Sequence, residues 1–137
     1  MSDFGPEEYK SIREWMIRAV LGTDMADHFK HVNQLKADML KENFDVGDDK
    51  YRVQLICLVF HLADISNPTK DWDICTKWTD YLFIEFFQQG DLEKQHGYPV
   101  SMLCDRDTTN IAKSQNGFLS FIIRPAFELI TKVLPKM

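Results

Sequence analysis

Apolar residues recur with helical spacing from the first part of the chain onward. Within residues 7–21, Ile12, Trp15 and Ala19 lie three and four positions apart, and the pattern stops at Gly22. Residues at such intervals share one face of an α-helix. The pattern therefore predicts an amphipathic helix that ends at the glycine.

A second amphipathic helix is predicted to begin near Thr23 and Asp24, because both residue types cap helix N-termini. Its apolar positions repeat every three to four residues, and lysines occupy other faces. These apolar positions are Met25, Phe29, Val32, Leu35 and Met39.

An almost continuous apolar run predicts a third helix. Residues 44–50 are polar and read as a loop, whereas residues 51–63 are apolar on nearly all faces. A run of this length without turn residues favours a buried helix over a strand. Pro68 disfavours helical backbone at Asn67, so a turn is expected there.

The next segment predicts a long helix over residues 71–89. Gly90 follows it where a left-handed C-cap residue is expected, and residues 91–96 are compatible with one short further turn. The apolar positions in register along this helix are Trp72, Cys75, Trp78, Leu82 and Phe86.

The last part of the chain predicts an irregular stretch followed by helix. Residues 98–107 are irregular and residues 108–123 have a helical pattern. Pro125 either kinks this helix or begins a final one that extends to about residue 133. No segment alternates with period two, so the predicted fold class is all-α, a bundle of several helices.

Length and charge limit the possible function classes. At 137 residues the chain forms one domain at most. Its net charge is −5 and it has no basic cluster, so neither nucleic acid nor an anionic membrane surface is an expected partner. The longest apolar stretches, residues 53–65 and 118–130, contain polar residues and are shorter than the ~20 residues that span a bilayer. The amino-terminal residues lack the layout of a secretory signal.

The cysteine and aromatic content adds two expectations. Cys57, Cys75 and Cys104 are widely spaced and form no CxxC pair, which predicts reduced thiols and a cytoplasmic protein. The chain also contains 10 Phe, 3 Trp and 4 Tyr. Two helices are apolar on more than one face, which indicates that a partner or a further stretch of chain covers them.

Two clusters of acidic residues and histidines are candidate sites. Asp24 with His28 and Asp27 with His31 are i, i+4 pairs that could hold a divalent metal. Acidic residues in a first helical turn also interact favourably with the helix dipole, and this interpretation is favoured.

Asp64 follows His61 by one helical turn within an apolar run. A carboxylate there is costly unless it is paired, hydrogen-bonded or bound to a cation. A turn that closes the helix before Pro68, with the Asp64 side chain bonded to the backbone, explains the residue equally well. The spacing alone leaves both interpretations open.

Lys113-Ser114-Gln115-Asn116-Gly117-Phe118 places polar amides one turn from an aromatic residue. A surface glutamine and a core phenylalanine account for this pattern without a ligand. The sequence has neither a nucleophile-elbow motif nor a glycine-rich phosphate loop.

Five motifs in order nevertheless resemble the class I cyclic-nucleotide phosphodiesterase catalytic domain, over about residues 12–134. The motifs are Leu21-Gly22-Thr23-Asp24-Met25, His61-Leu62-Ala63-Asp64-Ile65-Ser66-Asn67-Pro68, Trp78-Thr79 with Glu85-Phe86-Phe87-Gln88-Gln89-Gly90-Asp91, Cys104-Asp105-Arg106, and Lys113-Ser114-Gln115-Asn116-Gly117-Phe118. They correspond to the later part of that domain. The family's His-Asn-x-x-His and His-Asp motifs have no match in this sequence.

The resemblance implies an all-α fold and a reaction that opens a 3′,5′-cyclic phosphate to a 5′-monophosphate. It implies two divalent ions, zinc plus magnesium or manganese, in the full domain. Asp64 corresponds to a metal ligand, and Asp24 to an acidic residue near metal-bound water. The catalytic acid histidine has no counterpart here.

The resemblance also implies a purine site. Gln115 corresponds to the glutamine that reads the base, since an amide both donates and accepts hydrogen bonds. Phe118 corresponds to the aromatic residue that stacks on the base, with Ile65 on the opposite face. Further expected substrate-binding residues are Asn67, Met25, Trp78, Thr79, Leu82, Phe86 and Leu103.

Two functions follow as hypotheses. In the first, residues 1–137 are part of a phosphodiesterase domain whose earlier part supplies the histidine motifs, and the parent protein hydrolyses cyclic AMP, cyclic GMP or both. In the second, the chain is a truncated, inactive fragment that serves as a weak nucleotide-binding or interaction module. The neutral amide of Asn67 favours adenine slightly, and the base is left open.

Overall fold

The computed structural model describes residues 4–134. In order, the elements are α1 (Pro6–Leu21), a 3-10 turn (Met25–Asp27), α2 (His28–Asp38), α3 (Asp49–Asp64), a 3-10 turn (Asn67–Thr69), α4 (Trp72–Gln95), α5 (Ile111–Phe118), a π-helical turn (Leu119–Ile123) and α6 (Arg124–Val133). This part of the chain contains no strand, which confirms the all-α class. None of its helices is both long enough and apolar enough to cross a bilayer.

The described residues divide into two compact units. The first contains the residues up to Ile65 together with those from Ala126 onward, and the second is Ser66–Pro125. Asp24, Asp64 and their neighbours belong to the first unit. The long helix α4 and Gln115 belong to the second.

The core of the first unit is formed by apolar faces of α2, α3 and α6. Its buried members are Val32 and Leu35, then Leu55, Leu58 and Leu62, then Ala126, Leu129 and Ile130. Each fully buried leucine of such a core contributes about 2 kcal/mol of transfer free energy. Their spacing of three to four residues within each helix is the amphipathic pattern expected from the sequence.

Two helices of the first unit are more exposed than the sequence predicts. On α3 the buried residues occupy one face, and Ile56 and Phe60 are exposed on another. The expectation that residues 51–63 are buried on nearly all sides is therefore wrong for that face. Met25 and Phe29, at the beginning of the predicted second helix, are also exposed. The helix is anchored farther along, at Val32 and Leu35.

The predicted cap at Asp24 is confirmed, although it begins a 3-10 turn rather than α2 itself. The Asp24 carboxylate accepts a hydrogen bond from the Ala26 backbone N–H at 2.9 Å. This bond satisfies one of the amide groups left without a partner at a helix start. α2 follows directly at His28.

In the second unit, α4 continues past the glycine that was expected to end it. The helix extends to Gln95, and Gly97, with φ +73°, is the left-handed residue behind it. Gly90 is buried for another reason, since a Cβ at this position would lie 1.9 Å from the carbonyl oxygen of Cys104. Only a residue without a side chain permits this approach of two backbones.

The predicted irregular stretch is held against the second half of α4 by polar contacts. The backbone N–H and hydroxyl of Ser101 donate to Glu93 at 2.6 and 2.7 Å. Lys94 donates to Asp105 at 2.7 Å. Leu103, on the same stretch, has a positive φ of 69°, a conformation that non-glycine residues rarely adopt.

α5 begins later than predicted, at Ile111. Asn110 caps it, because its side-chain oxygen accepts from the Lys113 N–H at 2.9 Å. A π-helical turn, Leu119–Ile123, follows. Pro125 is the second residue of α6, but residues 111–133 are helical without a break. It therefore lies inside a helical stretch and supplies no N–H to the preceding π-helical turn.

Candidate functional site

The candidate metal ligand of the first unit is Asp64, the last residue of α3. Its side chain is exposed, and within residues 4–134 its carboxylate takes part in no hydrogen bond or ion pair. The alternative of a side-chain turn that closes the helix before Pro68 is therefore not realised by a bond from this carboxylate. The exposed, unbonded carboxylate is available to a ligand.

Two buried histidines lie beside this end of α3. His28, the first residue of α2, and His61, one turn before Asp64, are 2% and 1% exposed. His28 Nδ1 and His61 Nε2 are 2.9 Å apart, so one ring donates a hydrogen bond to the other. The contact joins residues 33 positions apart in the sequence.

The electrostatic environment keeps both imidazoles neutral. Burial lowers the pKa of His28, and the charges of His61 and His31 lower it further. Burial also lowers the pKa of His61, against an opposing effect of the Thr23 backbone and of the Asp64 carboxylate. The Nδ1 atom of His61 is buried and has no hydrogen-bond partner among the described residues.

The i, i+4 cluster of Asp24, Asp27, His28 and His31 does not assemble as a metal site. Asp24 caps the 3-10 turn, Asp27 pairs with Lys30 at 3.2 Å, and His28 is buried against His61. Across the described residues, no group of three or more His, Cys, Asp or Glu side chains is arranged to hold a metal ion. The structural interpretation of this cluster is confirmed for Asp24, which caps a helical turn.

The second unit contains a groove of about 460 Å³ between α4 and α5. Ligand pockets in proteins commonly measure about 300–1,000 Å³. The lining residues come from Pro68, from one face of α4, from one face of α5 and from the start of the π-helical turn. They are Pro68, Trp72, Cys75, Thr76, Thr79, Asp80, Ile111, Ala112, Gln115, Asn116 and Leu119.

The groove is largely apolar and has few polar atoms available to a ligand. The Thr76 hydroxyl donates to the Trp72 carbonyl oxygen of its own helix at 2.9 Å. In the part of the chain that the structure describes, no hydrogen bond occupies the Gln115 amide or the Thr79 hydroxyl. Both side chains are half-buried. An apolar wall with an amide and a hydroxyl is suited to a flat heteroaromatic ring.

The structure brings together some of the predicted substrate-binding residues and not others. Gln115 and Thr79 line one groove, and Asn67 immediately precedes its lining residue Pro68. The members that do not line it are Trp78, Leu82, Phe86, Leu103 and Phe118 in the second unit, and Met25 and Ile65 in the first. Phe86 instead packs edge-on against Phe83, with ring centroids 5.7 Å apart.

The sequence analysis missed several groove residues as ligand contacts. Trp72, Cys75 and Thr76 were not expected to contact a ligand, and the predicted residue Thr79 lies on the same face of α4, because the four are spaced i, i+3, i+4 and i+7. Trp72 and Cys75 were assigned to an apolar stripe in register with Trp78, although Trp72 is 77% exposed. The mixed apolar and hydroxyl character of the face was the available signal.

Comparison with known proteins gives a consistent family assignment. The family model described as 3′,5′-cyclic nucleotide phosphodiesterase matches residues 1–137. A probable 3′,5′-cyclic phosphodiesterase pde-1 of Caenorhabditis elegans is 41% identical over 131 residues, which are 96% of this chain and 19% of that protein. The dual specificity calcium/calmodulin-dependent 3′,5′-cyclic nucleotide phosphodiesterase 1B of Bos taurus is also 41% identical over 131 residues, 95% of this chain and 23% of its own length.

A further relative is somewhat less similar to this chain. The high affinity cGMP-specific 3′,5′-cyclic phosphodiesterase 9A of Pan troglodytes is 37% identical over 134 residues, which are 98% of this chain and 22% of that protein. The chain thus spans about a fifth of the length of these curated relatives.

Proposed function

Because the chain belongs to the 3′,5′-cyclic nucleotide phosphodiesterase family, we propose that its protein hydrolyses a 3′,5′-cyclic nucleotide to the 5′-monophosphate. Water adds to phosphorus, the bond from phosphorus to the 3′ oxygen breaks, and that oxygen leaves as the ribose hydroxyl. Residues 1–137 are one part of the catalytic domain. This part contributes a purine site and one metal ligand.

The groove between α4 and α5 is the proposed purine site. Gln115 and Thr79 converge in it with unoccupied polar atoms, and the remaining lining is mostly apolar. A glutamine amide can present its oxygen and nitrogen in either order, so it can face adenine or guanine. Phe118, one turn beyond Gln115, is the proposed stacking residue, and Ile65 is the proposed contact on the opposite face of the base. Asn67, Met25, Trp78, Leu82, Phe86 and Leu103 are proposed as further substrate contacts.

Asp64 is proposed as one ligand of a divalent metal, and Asp24 as a residue near metal-bound water. Hydrolysis in this family is metal-dependent, and zinc plus magnesium or manganese are the proposed ions. When bound, such ions lower the pKa of water and stabilise charge on phosphoryl oxygens. The described residues do not form a complete site, since they offer Asp64 as a single carboxylate without two companions.

We propose that a further stretch of chain completes the metal site and supplies the catalytic acid. Two observations support it: the sequence lacks the family's histidine motifs, and large apolar side chains remain exposed on several helices. Those on α1 are Tyr9, Met16, Ile17, Val20 and Leu21. The proposed substrate is a cyclic nucleotide, and the proposed location is the cytoplasm, where the thiols of Cys57, Cys75 and Cys104 remain reduced.

The relatives do not decide the base. One is named dual specificity and another cGMP-specific, and these names describe those proteins. The Asn67 amide favours cyclic AMP slightly in our proposal. An inactive interaction module is the less favoured function, since the matched relatives are all named as phosphodiesterases.

A binding experiment on this chain tests the purine assignment. ¹H–¹⁵N spectra are recorded while cyclic AMP, cyclic GMP, 5′-AMP or 5′-GMP is titrated, and we expect shifts clustered on the α4 and α5 faces that line the groove. Gln115→Ala should weaken binding about tenfold, which corresponds to the loss of about 1.4 kcal/mol of hydrogen bonding.

The matched control is Gln88→Ala, which removes the same amide from an exposed position of α4 outside the groove. Its affinity should equal that of the unmodified chain. Equal affinities for Gln115→Ala and the unmodified chain, or shifts confined to α1, would contradict the assignment.

A further inference from the structure

The bonded histidines of the first unit connect the two segments that carry Asp24 and Asp64. His61 lies three residues before Asp64 on α3, and His28 lies four residues after Asp24. Their ring nitrogens are 2.9 Å apart in a buried environment. The inference below rests on the proposed function, in which both carboxylates serve a metal site.

A buried pair of this kind requires a reason beyond packing. An imidazole taken out of water without a hydrogen bond costs roughly 1–3 kcal/mol, and a leucine of similar size carries no such cost. Each ring uses one nitrogen for the other, and burial keeps both rings neutral through a lowered pKa. The hydrogen bond therefore fixes the position of the two rings relative to each other, which a contact between apolar side chains would not do.

The bond to His28 is the one directed contact that the His61 ring makes in the described residues, since the Nδ1 atom of His61 is buried without a hydrogen-bond partner. A neutral imidazole has one donor and one acceptor nitrogen, so one of the two rings donates and the other accepts. His28 directly follows the 3-10 turn after Asp24, and His61 lies in the last turn of α3. The bond therefore joins the start of α2 to the end of α3.

We propose that His28 and His61 are positioning residues that fix the Asp24 turn relative to the last turn of α3. Asp24 accepts a hydrogen bond from the Ala26 N–H, and the histidine bond holds His28, the residue that directly follows this turn. Asp64 is exposed directly beyond His61 on the same helix. In this proposal the histidine bond holds the two segments that carry these carboxylates at one spacing. When residues that position metal ligands without binding the metal are replaced, the metal affinity typically changes by about 10- to 100-fold.

The test uses this chain with three kinds of variant. His61→Leu and His28→Leu keep the volume and remove the bond. His61→Gln and His28→Asn return an amide nitrogen near the lost ring nitrogen and should restore the contact. His96→Leu, at an exposed position behind α4, is the matched control.

The first readout contains no metal. Hydrogen exchange of the Ala26 amide, which donates to Asp24, should accelerate at least about tenfold in both leucine variants. Exchange at Leu35 and Leu58 in the core should stay unchanged. Equal acceleration at the core amides would mean a merely structural role and would overturn the inference.

The second readout is paramagnetic broadening by Mn²⁺. In the unmodified chain, amides near Asp24 and Asp64 should broaden over the same range of Mn²⁺ concentration. In His61→Leu the Asp24 amides should require about tenfold more Mn²⁺, and His61→Gln should recover most of the difference. Equal broadening of both segments in His61→Leu, with unchanged exchange, would overturn the inference.

The two readouts separate the inference from the function it rests on. Absence of Mn²⁺ broadening in the unmodified chain, with selective exchange at Ala26 in the variants, would contradict the metal role of Asp64 in this chain and support the positioning of Asp24. If a leucine variant does not fold, the variants His61→Gln and His28→Asn are compared with a mismatched pair, His61→Asn and His28→Gln. Full protection of the Ala26 amide in the mismatched pair would also overturn the inference.

Discussion

Gly90 provides a sharp test of how the second unit is packed. In Gly90→Ala the new Cβ would lie 1.9 Å from the Cys104 carbonyl oxygen and 2.7 Å from its carbonyl carbon. Both are backbone atoms, which cannot turn aside as a flexible side chain does. The loop must move away from α4, and overpacking of this severity costs about 3 kcal/mol or more. Alanine is better than glycine in a helix by about 1 kcal/mol, so the net loss of stability should be about 2 kcal/mol or more.

Gly117→Ala is the matched control for this substitution. Gly117 lies inside α5, and a Cβ added there meets no heavy atom within 4 Å. Only the helix preference changes, and stability should rise by about 0.5–1 kcal/mol. Both variants add one methyl group to a helical glycine, so they differ in the contacts that this group makes.

Urea unfolding followed by circular dichroism measures both free energies. The midpoint of Gly90→Ala should fall and that of Gly117→Ala should rise, and a constant slope would show that the unfolding transition itself is unchanged. A Gly90→Ala protein as stable as the unmodified chain would refute the close backbone approach. A rise for both variants would mean that helix preference alone governs Gly90.

Two further predictions concern turnover and pH. The purified chain, supplied with Zn²⁺ and Mg²⁺, should hydrolyse neither cyclic AMP nor cyclic GMP above the rate of a protein-free blank. The reason is that it offers one proposed metal ligand and lacks the motif of the catalytic acid histidine. Hydrolysis that Asp64→Ala abolishes would contradict this prediction. The pKa values of His28 and His61 lie below the unfolded value of 6.5, so the unfolded chain binds protons first as the pH falls. The histidine contribution should be complete above about pH 6.5 and decline below it, and the double variant His28→Leu/His61→Leu should flatten the stability profile below about pH 6.5. His31 and Asp64, which act on the pair with opposite sign, remain in both proteins, and parallel profiles would show that the pair does not titrate on unfolding.

The sequence predicted the helices well where their signals are local. Apolar spacing indicated α1, α2 and α3, and the capping preference of Asp24 was visible in its residue type. The end of α4 was wrong because Gly90 has two possible physical roles. A glycine in a helical pattern either ends the helix or admits another backbone, and only the position of Cys104 in space distinguishes them.

The candidate site was predictable to the extent that it lies on one helix face or in one motif. Gln115 and Thr79 were both expected near the substrate, and they line one groove. The bond between His28 and His61 was not expected, because no local pattern couples residues 33 positions apart. His28 was instead considered with Asp24 on the basis of helical spacing, while its ring faces the interior.

The geometry of α4 limits how this segment of the chain can vary. Thr79 in the groove and Gly90 against the loop are 11 residues apart, which at about 100° per residue is three turns plus roughly 20°. The two contacts therefore lie on nearly the same side of the helix, about 16 Å apart along its axis. Inserting or deleting a single residue between them would rotate one contact by about 100° away from the other. Substitutions at the exposed positions of this stretch leave both contacts in place, whereas a change in the number of its residues does not.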